Sequence, residues 1–206
     1  MNENFQGLTL WATLQKRTFD LFLAFLGTIL FWWLILLAAL LAWIDTGENG
    51  FFTQKRVGQY GNIFKVIKIR TMRSVDDIDT TVTTSNDLRI TSLGHFFRRT
   101  KIDELPQLIN VFLGDMSFVG PRPDVPGFAD KLKGDDRVVL SIKPGITGPA
   151  TLQFRNEEML LAEVENPEEY NNEVIYPEKV RLNKEYITNY SIVKDIRYIF
   201  LTLMGK

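Results

Sequence analysis

The stretch KIDELPQLINVFLGDMSFVGPRP, residues 101–123, carries most of the information in this chain. It begins with two adjacent carboxylates, Asp103 and Glu104, continues through an apolar segment, and ends in a Gly-Pro-Arg-Pro turn that contains Arg122. Phosphoryl chemistry uses these parts: one carboxylate to attack, a second to hold a metal ion or a proton, and a fixed cation for the phosphate. We therefore expect an enzyme that moves a phosphorylated group.

The carboxylate pair also has a purely structural explanation. Acidic side chains stabilise the first turn of a helix, and Pro106 is tolerated there because the first N–H groups have no intrahelical partner. Two features favour chemistry. The predicted helix is apolar enough to lie against a membrane interface, and two prolines restrict the backbone around Arg122, as suits a cation that must meet a phosphate in one geometry.

Length and composition limit the choice of protein class. The chain has 206 residues, a net charge of −1, one histidine and no cysteine. This length suits one sizeable domain, and the charge gives no basic footprint for nucleic acid. Structural disulfides and thiolate metal sites are excluded because cysteine is absent. We predict three parts: an N-terminal interfacial segment (1–17), a membrane helix (18–45) and a cytoplasmic catalytic domain (46–206).

Residues 21–44 contain no charged side chain, and a helix of that length spans about 36 Å, enough to cross a bilayer. Cations flank both ends, with Lys16 and Arg17 before the segment and Lys55 and Arg56 after it. Because basic flanks favour the cytoplasmic face, the charges predict a re-entrant helix that keeps both ends inside. Re-entry needs a break, and the segment has no proline, so helix chemistry alone predicts a span.

A β-hairpin is predicted directly after this segment, with strands at residues 51–56 and 63–70. Alternation along the second strand places Lys68 and Arg70 on one face, where they could grip a pyrophosphate. Attraction of anionic lipid is the alternative explanation for basic residues beside a membrane segment. Residues 74–86 are acidic and rich in Ser and Thr without periodicity, which predicts a surface loop.

The C-terminal part is predicted to be mainly helical. Residues 143–149, KPGITGP, are predicted to form a turn because they contain two prolines and two glycines, which break helices. Residues 184–204 show an apolar helical periodicity interrupted near Asn189, and this face packs on the core or, alternatively, lies on the membrane surface. His95 has no neighbouring group that supports it as a base or ligand, so we predict that it is a surface residue.

The run DELPQLINVFLGDMSFVGPRP, with FDLFLAF, FFTQKRVG and FKVIKIRTM before it and KPGITG after it, resembles the bacterial sugar transferase family. These monotopic phosphoglycosyl transferases start the assembly of capsule, O-antigen and glycoprotein glycans. The resemblance is dense over residues 16–155. It implies an α/β (α+β) fold with an N-terminal re-entrant membrane helix, a small β-hairpin or sheet and several short amphipathic interfacial helices. Members usually carry Ser-Pro at the helix kink, where this chain has Trp32 and Trp33.

The resemblance also implies a reaction at the cytoplasmic face of the bacterial inner membrane. Asp103 would attack the β-phosphate of a UDP-sugar, releasing UMP and forming a phosphosugar-aspartyl intermediate. Glu104 would complete the dyad, helping to hold Mg²⁺ or to deprotonate the acceptor, so that both carboxylates are candidate metal ligands. Undecaprenyl phosphate would then attack and take the sugar phosphate.

Four cations complete the site that the resemblance implies. Arg122 would meet substrate phosphate, with Lys68 and Arg70 as helpers, and Arg155, after the glycine-rich loop, would contact phosphate or uridine. Membrane lipids are expected partners, nucleic acid is not, and the apolar surface leaves room for a homodimer. No pattern in the sequence names the sugar.

Two alternatives stay open at this stage. A non-catalytic membrane-tethered scaffold of glycan assembly would keep the apolar segment but would not need Asp103, Glu104 and Arg122 together. In a direct-attack enzyme the lipid phosphate would attack the donor itself, and Asp103 would serve only as a metal ligand.

Overall fold

A computed structural model describes residues 7–74 and 87–205. The loop predicted over residues 74–86 lies outside this part of the chain from residue 75 onward. The described residues form helices α1 (Leu10–Thr46), α2 (Ser92–Thr100), α3 (Gln107–Leu113), α4 (Pro149–Gln153), α5 (Glu157–Ala162), α6 (Pro167–Tyr170), α7 (Tyr176–Thr188) and α8 (Ile192–Leu203). Their strands are β1 (Phe51–Val57), β2 (Ile63–Ile69), β3 (Ser117–Val119) and β4 (Gly145–Thr147). This mixture of helices and two small sheets confirms the predicted fold class.

The predicted membrane helix is α1, which is longer than expected and includes the end of the predicted N-terminal segment. The Thr9 hydroxyl caps its start by accepting from the Ala12 N–H at 3.2 Å, and Gly47 ends it in the left-handed conformation at φ 75°. Helical structure continues through Trp32 and Trp33, and no change of secondary structure marks residue 18. Among the described helices, α1 is long and apolar enough to cross a bilayer. The re-entrant path stays a prediction.

One face of α1 packs against the rest of the protein along most of its length. The buried positions on this face are Lys16, Asp20, Ala24, Ile35, Ala38, Ala39 and Ala42. The small side chains permit close approach, and a Cβ at Gly50 would lie only 1.8 Å from the Ala39 carbonyl oxygen. The other faces expose large apolar side chains, among them Phe22, Phe25, Ile29, Trp32, Trp33, Leu36 and Ile44. The helix therefore lies along the domain, with an apolar surface left uncovered.

The predicted β-hairpin is confirmed. Strands β1 and β2 are antiparallel, with Phe51 opposite Ile69 and Val57 opposite Ile63. A single 3-10 turn at Gln59–Gly61 joins them. Because Val66 and Ile69 are buried, β2 is fixed against the core, and this fixes the position of Lys68 between them.

The second sheet consists of two strands, β3 and β4, that the sequence did not predict. Residues 145–147, expected to be part of a turn, form β4, which pairs in parallel with β3. The strand has only three residues, too few to show an alternating pattern, and it begins at Gly145, where a Cβ would lie 2.1 Å from the Gly120 nitrogen. The KPGITGP loop is thus held directly beneath the Gly-Pro-Arg-Pro turn.

The predicted interruption near Asn189 is confirmed, since α7 ends at Thr188 and α8 begins at Ile192. Helix α7 contributes to the largest buried cluster of the described residues, and α8 packs against this cluster through the partly buried Tyr198 and Ile199. The buried members of the cluster are Val57, Val119, Ala129, Val139, Leu140, Ile142, Val180, Tyr186 and Ile187. Helix α8 also leaves an apolar side exposed at Val193, Ile196, Phe200 and Leu203. Core packing, the first of the two predicted arrangements, therefore accounts for only part of its apolar surface.

Candidate active site

The two carboxylates lie in a 3-10 turn, Ile102–Glu104, which directly precedes α3. We expected them to open the helix itself, but α3 begins only at Gln107, after Pro106. Lys101 adopts the left-handed conformation at φ 60° and turns the chain between α2 and the carboxylates. Asp103 and Glu104 are only 7% and 8% exposed. Such burial of two adjacent carboxylates is costly unless partners are present.

Glu104 has two cationic partners, and both were predicted site residues. Its Oε1 accepts from the Arg122 guanidinium at 2.9 Å and from Lys68 Nζ at 3.3 Å. Burial alone would raise the pKa of Glu104, but the charges of Arg122, Lys68 and Lys101 outweigh it and hold the pKa well below its usual range. Glu104 is therefore ionised at neutral pH, and it fixes both cations beside it.

Asp103 has a different environment, although it is the next residue along the chain. Its Oδ1 is buried and has no hydrogen-bond partner in the protein. Burial raises the pKa of Asp103 to about 6, and the neighbouring Glu104 charge adds to this effect. Two adjacent carboxylates with pKa values pushed apart are typical of sites that perform chemistry. Of the two carboxylates, Asp103 has an oxygen that is free to bind a ligand or to form a covalent bond.

The turn that carries Arg122 is fixed mainly by its backbone. The Gly120 N–H donates to the Thr147 carbonyl at 2.9 Å, and the Gly145 N–H donates to the Pro121 carbonyl at 2.8 Å. Arg56 adds a guanidinium hydrogen bond to the Pro123 carbonyl at 3.2 Å. The Arg122 side chain is nevertheless 41% exposed, so its guanidinium can meet a substrate while it holds Glu104.

Helix α1 supports the site through Arg17, which the sequence analysis places at the membrane flank, and through Asp20. The Arg17 guanidinium donates to the Val111 and Phe112 carbonyls at 2.7 and 3.0 Å, which caps the C-terminal end of α3. One turn later, Asp20 Oδ1 accepts from the Phe118 N–H at 3.0 Å, at the start of the path to Arg122. The start of α1 thus holds the end of α3 and the segment that leads from α3 to Arg122.

Two predicted cations lie elsewhere in the structure. The Arg70 guanidinium forms an ion pair with Glu48 at 2.9 Å and donates to the Asn49 carbonyl at 2.7 Å. Arg155 is exposed, and its guanidinium lies near Gly205 at the end of the described chain. The structure gives neither of them a contact with Asp103 or Glu104, and their binding roles stay predictions.

Sequence reasoning missed Asn110, a buried amide in α3 that hydrogen-bonds to β2. It also missed the partner of Lys16, which donates to Asp195 of α8 at 2.6 Å. The available signal was a polar side chain within an otherwise apolar helical run, but it did not reveal the partner. His95 is exposed, as predicted, and lines an open groove with Ser92, Phe96 and Arg99.

The chemistry of the site fits the expected Mg²⁺. The described residues contain no group of three or more acidic, histidine or cysteine side chains that could hold a metal ion. Magnesium does not need such a cage, because it commonly binds through one or two carboxylates together with waters and substrate phosphates. Asp103, with its unpartnered oxygen, and Glu104 supply carboxylates of this kind.

Comparison with known proteins gives matches over most of the chain. The model of the family described as "Bacterial sugar transferase" matches residues 11–205. The chain is 38% identical over 169 residues to galactosyl transferase CpsE of Streptococcus agalactiae serotype III (strain NEM316), covering 76% of this chain and 34% of that protein. It is 35% identical over 195 residues to the UDP-glucose:undecaprenyl-phosphate glucose-1-phosphate transferase of Escherichia coli (strain K12), covering 92% of this chain and 39% of the relative.

A shorter relative is matched over most of its length. The exopolysaccharide production protein ExoY of Sinorhizobium fredii (strain NBRC 101917 / NGR234) is 30% identical over 206 residues, which cover 92% of this chain and 84% of ExoY. The chain therefore belongs to the bacterial sugar transferase family. It spans little more than a third of the two longer relatives.

Proposed function

We propose that this protein transfers a sugar phosphate from a UDP-sugar to undecaprenyl phosphate, the first step in assembling a bacterial glycan. Relatives whose names state this type of activity support the proposal, among them the Escherichia coli glucose-1-phosphate transferase. The observation that carries it is the split carboxylate pair. Glu104 is held ionised between two cations, whereas Asp103 beside it keeps a buried oxygen without a partner.

The reaction then proceeds in two displacements. An Asp103 carboxylate oxygen attacks the β-phosphorus of the donor, the P–O bond to UMP breaks, and UMP leaves with the electron pair. A phosphate oxygen of undecaprenyl phosphate next attacks the same phosphorus, and the Asp103 carboxylate leaves. One site can thus serve a water-soluble donor and a lipid acceptor in turn.

The surrounding side chains would act by position and charge. Arg122, whose side chain is 41% exposed, would bind a phosphate oxygen of the donor, and Lys68 would add a second positive charge. Glu104 would hold both cations in place. Mg²⁺, held by Asp103 and Glu104, would offset the charge of the leaving phosphate.

We also propose that the site faces the cytoplasm from the inner membrane, with α1 inserted in a re-entrant manner. Both ends of α1 contact the same domain: Lys16 bonds to Asp195 of α8, and Ala39 packs against Gly50 before β1. A helix that left the domain to cross the bilayer could not keep both contacts. The apolar faces of α1 that the protein leaves uncovered suit contact with lipid.

The proposed topology is tested by thiol labelling. Single cysteines at residues 10 and 60 should be equally protected from an impermeant thiol reagent in intact cells, and labelling at one site alone would contradict re-entry.

The reaction is tested with purified protein, Mg²⁺, undecaprenyl phosphate and a panel of UDP-sugars. We expect UMP release that depends on the lipid phosphate, and a phosphosugar on the Asp103 peptide when the enzyme is quenched with donor alone. A scaffold would release no UMP from any donor. Lipid-dependent release by Asp103→Asn at the wild-type rate would instead support direct attack.

A further inference from the structure

The side chain of Asn110 is buried in α3 and joins three parts of the active site. Although Asn110 is polar, it is only 1% exposed, and its neighbours in the helix, Ile109 and Val111, are apolar. Its Oδ1 accepts from the Ile67 N–H at 3.0 Å, and its Nδ2 donates to the Lys65 carbonyl at 2.8 Å and to Asp115 Oδ2 at 3.2 Å. A buried amide with this many partners is specific in geometry and expensive to replace.

The two hydrogen bonds from the Asn110 side chain to β2 replace those that a further strand would make at this edge. Backbone groups of residues two apart point to the same edge of a strand, and those of Lys65 and Ile67 both meet the Asn110 amide. Strand β1 pairs with β2, and the described sheet contains only these two strands. The amide therefore satisfies an N–H and a C=O that α3 would otherwise leave buried without partners.

The backbone of Asn110 makes a third connection. Its carbonyl accepts from the Asp115 N–H at 3.0 Å and the Met116 N–H at 3.2 Å, in the segment that leads into β3 and on to Arg122. One residue thus connects the helix after the carboxylates, the strand that carries Lys68 and the approach to the arginine turn. Lys68 directly follows Ile67, whose N–H is held by the Asn110 side chain.

We propose that Asn110 is a positioning residue that sets the distance between Lys68 and Glu104. Glu104 precedes α3 and Lys68 lies on β2, and their charged groups meet at 3.3 Å. The Asn110 amide links α3 directly to β2 at Lys65 and Ile67, next to Lys68. This inference rests on the proposed transferase function, because its effect is read as UMP release. The competing explanation is that Asn110 stabilises the fold and acts on the reaction in no other way.

A double-mutant cycle separates the two explanations, because residues that act through one contact are not additive. The rate of UMP release is measured for the wild type, Asn110→Ala, Lys68→Met and the double variant, all as folded protein. If Asn110 acts through Lys68, the factor by which Asn110→Ala lowers the rate should be at least about 5-fold smaller once Lys68 is replaced. Equal factors in the two backgrounds would overturn the inference.

Leu108→Ala supplies the matched control. Leu108 lies on the same helix and is 6% exposed, and its apolar side chain lies against Gly27 of α1. The effects of Leu108→Ala and Lys68→Met on the rate of UMP release should be independent. The double variant should therefore lose the product of the two single factors. Thermal unfolding of each variant shows whether Leu108→Ala and Asn110→Ala cost similar stability, so that a difference in coupling cannot come from stability alone.

If Asn110→Ala does not fold, the same cycle is run with Asn110→Asp. That variant keeps an acceptor for the Ile67 N–H and loses the two donated bonds, so equal factors in both backgrounds again overturn the inference. A wild-type protein that releases no UMP from any donor would count against the proposed function instead. The two failures are therefore distinguishable.

Discussion

Two groups of charged side chains in this protein are each built around a buried carboxylate. They differ in whether every carboxylate oxygen has a partner within the protein. The first, the carboxylate site, consists of Asp103, Glu104, Lys68 and Arg122. The second, which we call the helix clamp, consists of Lys16, Tyr186 and Asp195 and joins α1 to α7 and α8. In the helix clamp, Lys16 Nζ lies 2.6 Å from Asp195 Oδ2, and the Tyr186 hydroxyl donates to Asp195 Oδ1 at 2.5 Å.

The helix clamp is closed and the carboxylate site is open. Both oxygens of Asp195 have partners, and Asp195 is 0% exposed. In the carboxylate site, Asp103 keeps an oxygen without a partner, and Arg122 is 41% exposed. Charges that satisfy one another completely hold elements together, whereas a group left open can bind or react. The helix clamp therefore has a structural role, and the carboxylate site is suited to chemistry.

The largest expected effect is at Asp103. Asp103→Asn removes the nucleophile, so UMP release should fall by about 10³-fold or more while the protein stays folded. Tyr186→Phe, which removes a hydroxyl from the helix clamp, is the matched control and should change the rate of folded enzyme by less than about 3-fold. Similar losses in both variants would break the distinction between open and closed groups.

The second-largest loss of activity is expected at Arg122. Arg122→Lys keeps the positive charge but loses the planar guanidinium that can hold Glu104 and a phosphate together, so kcat should fall by about 10²-fold. Steady-state kinetics of UMP release measures this. Arg70→Lys is the comparison, because Arg70 pairs with Glu48 and contacts neither carboxylate. A larger loss from Arg70→Lys than from Arg122→Lys would show that the phosphate site lies elsewhere.

The pH dependence tests Asp103 without removing it. Asp103 must be ionised to attack, and burial raises its pKa to about 6, so activity should rise with pH through about 6. The Lys68 charge lowers the pKa of Asp103, and Lys68→Met should therefore shift the acid limb of kcat/KM to higher pH. A shift to lower pH would contradict this, as would an unchanged limb.

The helix clamp should affect stability more than activity. Lys16→Met leaves the buried Asp195 without its cation, which should cost about 3–5 kcal/mol of unfolding free energy. Replacing Asp195 as well, in Lys16→Met with Asp195→Leu, should recover part of this loss, because Asp195 is then no longer buried without its cation. The buried Asp20 still lacks the Lys16 charge in both variants. Denaturation measures the stability, and the rate per folded molecule should stay within about 3-fold of the wild type. A much slower folded variant would show that the clamp takes part in the reaction.

The two groups also differ in how well the sequence predicts them. Asp103, Glu104 and Arg122 lie close together in the chain, within a pattern of carboxylates, apolar residues and prolines that indicates phosphoryl chemistry. Lys68 was found because alternation in a predicted strand placed it on one face. Local patterns of this kind also gave the hairpin, the long apolar helix and the break between α7 and α8.

Long-range pairing was the part that local patterns could not supply. Lys16 was interpreted as a membrane-flanking cation because its partner, Asp195, lies at the other end of the chain. Strand β4 was missed because its one glycine, Gly145, meets the backbone of Gly120, in a segment earlier in the sequence. Asn110 was overlooked because its role depends on the edge of β2, which no helical periodicity reveals. Each of these requires the tertiary contact to be known first.

The central claim is that Asp103 takes the sugar phosphate onto itself before the lipid arrives. The most direct measurement is exchange of labelled UMP into the UDP-sugar in the complete absence of undecaprenyl phosphate. We predict exchange with the wild-type enzyme and none with Asp103→Asn, because reversal of the first displacement needs only donor, UMP and the carboxylate. An enzyme that turns over with the lipid present but shows no exchange without it would contradict the account.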